Sequence, residues 1–168
     1  YMGDWAGTLT ALGGSFLDPA GDLDLGAYHI YSAGLGDELN PIFEDPLAAS
    51  VLFRAHPDFA ADAEAGDTRY SSKVVERPDL TTAVFGLTST VVVNISKNSI
   101  DNYPMIRNEE LILLRAEANI GLGNYTTAEA DLNIVRNAAG LGDLTGTDAT
   151  NAVDRMLHER RYSLFIEG

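Results

Sequence analysis

The sequence predicts a mainly α chain: a helix hairpin plus a third helix, with a loop-rich first half containing short strands. Three observations carry that reading. From residue 105 onward, apolar residues recur at helical spacing and glycines fall where the helices should end. Over residues 1–104, Gly, Pro and Asp leave few long periodic segments. Within that first part, the run from Thr88 to Ile95 is dense in β-branched residues, as a strand requires.

Taken in order, Gly13-Gly14 and Asp18-Pro19-Ala20-Gly21-Asp22 read as turns. A short helix is predicted from about Pro46 to Arg54, opened by Asp45-Pro46, with Leu47 and Val51 on one face. A second is predicted from Pro57 to Ala65. Two β-rich runs follow, Ser71 to Val75 and Thr88 to Ile95. The first long helix is predicted from Ile106 to Gly121, with Leu111, Leu114 and Ala118 on one face and Ile112, Leu113 and Ile120 widening it. Gly121 and Gly123 end it. The second long helix starts at Thr126, where Thr126-Thr127-Ala128-Glu129 fits a capping box. Its inner face is Ala128, Leu132 and Val135, and Gly140 ends it. The third runs from Asn151 to Phe165, with Val153, Met156, Leu157, Leu164 and Phe165 on one stripe.

The short link between the first two long helices makes them antiparallel. Ala116 and Ala128 allow close approach, Gly123 turns the chain and Tyr125 fills the gap beside the turn. That order of small residue, turn Gly, Tyr and Ala matches the tetratricopeptide pattern. One such hairpin cannot bury its own face and needs neighbours. The chain therefore reads as a loop-rich, ligand-facing region over 1–104 and a helical tetratricopeptide-like region over 105–168, both parts of one truncated domain.

Composition narrows the function. The 25 acidic residues against 11 basic give a net charge of −14. That balance opposes binding to nucleic acid or to anionic lipid surfaces, both of which need clustered Lys and Arg. The absence of cysteine excludes disulfides and thiolate metal sites. No apolar run is long enough to span a membrane. His29, His56 and His158 show no metal spacing, and no nucleophile elbow or phosphate-binding loop occurs. No cofactor and no metal are expected, and no catalytic residue is assigned.

The string Pro104-Met105-Ile106-Arg107-Asn108-Glu109-Glu110-Leu111 through Arg115-Ala116-Glu117-Ala118 resembles the SusD/RagB family of outer-membrane nutrient-binding lipoproteins. So do Leu132-Asn133-Ile134-Val135-Arg136, Ala139-Gly140-Leu141, Glu159-Arg160-Arg161 and Glu167-Gly168, in that order. Asp67-Thr68-Arg69 is similar to an upstream motif of the family, and Lys97 to a Lys before its Pro-Ile-Arg helix. The family's amino-terminal Cys and helices are absent from these residues, so the chain reads as a carboxy-terminal fragment of a SusD-like α-α superhelix.

The resemblance implies non-enzymatic capture of an oligosaccharide, or in some members a peptide. The ligand would pass to a SusC-like TonB-dependent transporter at the bacterial outer-membrane surface. Attachment to the membrane would be through a lipid anchor that this chain lacks. The alternatives are a tetratricopeptide-type protein-interaction module and, less favoured, a glycoside hydrolase. The motif residues Arg107, Glu117, Tyr125, Arg136, Glu159 and Arg160 are expected to be structural, since Arg and Glu on packed helices pair or cap. The candidate ligand residues are the aromatics Trp5, Tyr28, Tyr31 and Tyr70, because aromatic faces stack on sugars. Ordinary packing is the competing role for each. Asp22, Asp24, Asp37 and Asn40 are the polar candidates.

Overall fold

A computed structural model describes residues 3–167 apart from Val84 and Leu87. Gly168, the last residue of the Glu167-Gly168 motif, lies outside the described residues. In chain order the elements are α1 (Trp5–Gly13), β1 (Gly26–His29), α2 (Pro57–Ala61), α3 (Thr68–Lys73), β2 (Val74–Glu76), β3 (Val91–Val93), β4 (Tyr103–Arg107), α4 (Asn108–Gly121), α5 (Tyr125–Ala138) and α6 (Ala152–Ser163). The strands form two pairs, β1 with β4 and β2 with β3, the second of them antiparallel. The chain is therefore mainly helical with small strand pairs, as its pattern predicts. It divides into two compact units: Tyr1–Ala27 with Pro104–Gly168, and Tyr28–Tyr103.

The first unit is built on the α4–α5 hairpin. Ile112, Leu113 and Ala116 of α4 meet Ala128, Leu132 and Val135 of α5, and Met156 of α6 completes the cluster. Ala116 and Ala128 are both fully buried, so the two small residues let the helices close on each other. Gly123 makes the turn with φ +78°, a conformation that Gly adopts without a Cβ clash. The first long helix starts at Asn108 and not at Ile106, because Ile106 and Arg107 are the end of β4. Gly26 explains the close approach there: a Cβ on it would sit 2.2 Å from the Ile106 carbonyl oxygen.

Two expectations for this unit are corrected. The capping box at Thr126 does not form. Asn124 stands at the N-cap of α5, and the Glu129 carboxylate instead accepts from the Thr147 backbone N–H at 2.7 Å. The stripe of α6 is also different. Val153 and Leu157 are exposed, whereas Ala152, Met156, Glu159, Tyr162 and Ser163 are buried. A buried carboxylate on that face has a partner, Arg136, that helix periodicity alone does not reveal.

The periodicity does not show α1 either, because two of its nine residues are Gly and two are Thr. It forms because the Asp4 carboxylate accepts the Gly7 N–H at 2.9 Å, an N-cap bond. Leu12 is its buried residue.

In the second unit, β2 and β3 pair antiparallel with Val74 opposite Val93 and Val75 opposite Val92. Val51, Leu80 and Val92 form its core. The predicted helix from Pro46 to Arg54 is absent. Asp45 makes an Asx turn to the Leu47 N–H at 2.9 Å, and the Glu44 carboxylate takes the N–H groups of Leu52 and Phe53. Those donors are then lost to a helix. The helix predicted over Pro57–Ala65 stops at Ala61. Of the two β-rich runs, Ser71 to Lys73 belongs to α3, whose N-cap Asp67 accepts from the Arg69 N–H. The second run narrows to Val91–Val93.

Candidate functional site

The family-type charged residues are occupied in holding the first unit together. Arg107 precedes α4 and is buried. Its guanidinium meets Asp24 at 2.7 Å, Glu109 at 2.7 Å and Glu167 at 2.5 Å, and donates to the Ser163 carbonyl at 3.2 Å. Burial alone would pull its pKa down. The carboxylates of Glu109, Glu167 and Asp24 outweigh that, so it is raised and the charge is fixed. Arg136 pairs with Glu159 at 2.6 Å. Arg160 pairs with Glu117 at 3.1 Å, and Arg115 with Asp131 at 2.5 Å. Tyr125 is the first residue of α5 and is half-buried beside the turn. These residues tie β4, the hairpin and α6 into one frame, and their donors and acceptors are committed to each other.

The aromatic candidates fall into two groups, one in each unit. Trp5, on α1, lies over Gly121 of α4 so closely that a Cβ on Gly121 would stand 2.3 Å from the indole. Beside it runs a cleft of about 390 Å³ lined by Asp4, Trp5, Thr8, Ala11, Leu114 and Glu117. The lining is mainly apolar, with Thr8, Asp4 and Glu117 as its polar residues. The cleft exists because α1 crosses α4 where Gly121 gives it room, one turn beyond Glu117. Trp5 is legible in the sequence as its one tryptophan. Leu114 and Glu117 are not legible as its neighbours, since nothing local links residues more than a hundred positions away.

In the second unit, Tyr28 is half-buried on β1. Tyr31 is half-buried just beyond it, with its ring 4.5 Å from that of His29 and tilted by 45°. His29 is exposed and was not expected to contribute. Tyr70 sits on α3, with its ring 5.8 Å from Phe59 and its hydroxyl bonded to the Glu76 carboxylate. Its hydroxyl is thus engaged within the protein.

The polar candidates separate clearly. Asn40 is buried, and its amide donates to Ser96 and to the Asp101 carbonyl while its oxygen accepts from Ile42. That pattern makes it structural. Asp24 is held by Arg107, and Asp22 accepts the Asp24 N–H in an Asx turn. Asp37 is exposed in the Gly-bounded loop after Tyr31.

A sequence model described as the SusD family matches residues 82–168. Among solved structures, the fold is similar to a surface glycan-binding protein A from Bacteroides uniformis. The identity is 22%, the match covers 64% of this chain and 25% of that one, and the TM-score is 0.51. It is also similar to a SusD-like carbohydrate binding protein from Bacteroides vulgatus ATCC 8482, with 24% identity, 69% and 25% coverage and a TM-score of 0.50. This chain spans about a quarter of the length of each. No curated protein matches it. At these identities the likeness concerns the fold.

Proposed function

This chain belongs to the SusD family, and on that premise we propose that the protein captures an oligosaccharide reversibly at the bacterial outer-membrane surface, making and breaking no bond. A SusC-like TonB-dependent transporter would receive the ligand, and a lipid anchor outside this chain would hold the protein to the membrane. The family match carries the reading. It is supported by two structural relatives whose names describe glycan or carbohydrate binding.

In this reading the helical frame orients and the aromatics bind. The ion pairs of Arg107, Arg136 and Arg160 leave the ligand to half-buried rings. Trp5 at its cleft, and Tyr28 and Tyr31 on and beyond β1, are the contacts proposed, with His29 added to them by its ring contact with Tyr31. Tyr70 is the fifth, through its half-buried ring. Calorimetry of the chain against a panel of neutral, amino and acidic polysaccharides tests the proposal. Saturable heat with at least one glycan, weakened by Tyr31→Ala, is expected. A flat titration across the whole panel would overturn it.

A protein-interaction role for the tetratricopeptide-like helical region, through α6, is the second reading. Val153 and Leu157, four residues apart on α6, are 51% and 54% exposed. Two large apolar side chains on one exposed helix face suit a protein partner. Loss of co-purification with a transporter in a Val153→Glu, Leu157→Glu double variant, with glycan heat unchanged, would support it. Retained co-purification would refute it.

A further inference from the structure

The cleft between α1 and α4 has a chemistry that selects among glycans. Its apolar lining includes Ala11, Leu114 and Trp5. The polar residues of the lining are Asp4, Glu117 and Thr8. Arg160 lies against Glu117 at 3.1 Å and offsets one of those charges. Among the described residues, the Asp4 carboxylate accepts the Gly7 N–H at 2.9 Å and meets no cationic side chain, so these two carboxylates and Arg160 leave about one net negative charge, on a chain whose formal charge is −14.

An indole and a carboxylate with no cationic side-chain partner among the described residues together favour a cation with an apolar face. The ring attracts the cation through its quadrupole, and the carboxylate adds a charge-assisted hydrogen bond. An anionic group in the same place would be repelled by both. The volume of about 390 Å³ falls in the range of small-ligand pockets.

We propose that this cleft binds a pyranose bearing a free amine, stacked on Trp5 with its ammonium directed to Asp4 and Glu117, and that it rejects uronic or sulfated sugars. The inference rests on the glycan-capture reading and names the sugar class for one of its contacts. Neutral sugars fit the indole without the ionic contact and bind more weakly.

Trp5 is the single tryptophan, so its emission reports on this cleft alone. The chain is titrated, below the pKa of the sugar amine, with a glucosamine trimer, a glucose trimer, a galacturonate trimer and trilysine. The glucosamine trimer is expected to change the emission saturably and to bind about fivefold more tightly than the glucose trimer. The galacturonate trimer is expected to give no change. Asn is as good an N-cap as Asp, so Asp4→Asn keeps α1 and should reduce the amine preference toward unity.

Equal affinity for the amino and neutral trimers would overturn the proposal. So would an equal response to trilysine, which would assign the cleft to a basic peptide. A silent Trp5 emission alongside glycan heat in calorimetry would remove this site and leave the capture reading intact. Silence in both would remove both.

Discussion

Arg136 and Glu159 meet at 2.6 Å although they are 23 residues apart, and their side chains are only 7% and 1% exposed. Arg136 also donates to the Gly142 carbonyl at 3.0 Å, so one guanidinium joins α5, the loop after it and α6. Removing Glu159 takes from the buried Arg136 guanidinium the carboxylate that it meets at 2.6 Å. Glu159→Ala should therefore cost about 3–5 kcal/mol in chemical denaturation. A double replacement by apolar residues, Arg136→Met with Glu159→Leu, should cost far less, because it removes both desolvation penalties together. Equal losses in the two variants would contradict this account.

Gly121 is a helix residue whose replacement by Ala should gain about 1 kcal/mol from propensity alone. Packing opposes that gain. A Cβ there would stand 2.3 and 2.4 Å from atoms of the Trp5 indole, so the ring must move. Gly121→Ala should shift the tryptophan emission to the red and leave the chain no more stable than the parent. Unchanged emission with a higher melting temperature would show that α1 does not dock as described.

The same contacts explain what could be read from residues in order. The α4–α5 hairpin was legible because its signals are local: Ala116 and Ala128 at the crossing and Gly123 at the turn. The buried face of α6 was not, since buried Glu159 is paired with Arg136 from a different helix. Val153 and Leu157 look like a core stripe by hydropathy but face outward. The Pro46–Arg54 segment shows the converse failure, where the Glu44 side chain takes two N–H groups that a helix would need. Of the candidate site, the rings were legible as residue types. Their surroundings were not, because the cleft at Trp5 is made with Leu114 and Glu117 from a distant helix.

Asn108 fixes the loop that leads from α1 toward β1. It is fully buried. Its amide nitrogen donates to the carbonyls of Asp18 at 2.7 Å and Asp22 at 3.0 Å, and its oxygen accepts the Asp18 N–H at 2.8 Å. An aspartate has the same shape but cannot donate when ionised, so it would face two carbonyls with a negative charge. Asn108→Asp should lower stability by at least about 2 kcal/mol in urea unfolding, as expected for two orphaned buried acceptors. Hydrogen exchange at the Asp18 amide should speed up in the same variant. An aspartate variant as stable as the parent would mean that the loop is held by other contacts.

Asp131 is the carboxylate for which burial and pairing compete most openly. Burial raises its pKa, the hydrogen bond and charge of Arg115 lower it, and the net direction is upward. Arg115 approaches it at 2.5 and 2.9 Å but is itself partly exposed, so the pairing offsets burial only in part. A carboxylate whose folded pKa lies above its unfolded value binds its proton more tightly in the folded state. Its contribution to stability is therefore fully present below the unfolded pKa and is lost as pH rises through the folded pKa. Carbon-detected NMR titration should place Asp131 above the ordinary aspartate range. Arg115→Met, which keeps an apolar stem and removes the cation, should raise it further, because only a lowering influence has been taken away. The same variant should lose more stability at neutral pH than at acid pH, since at acid pH the unpaired Asp131 is protonated and carries no buried charge. A titration at or below the ordinary value in the parent would show that the Arg115 pair, and not burial, governs this residue.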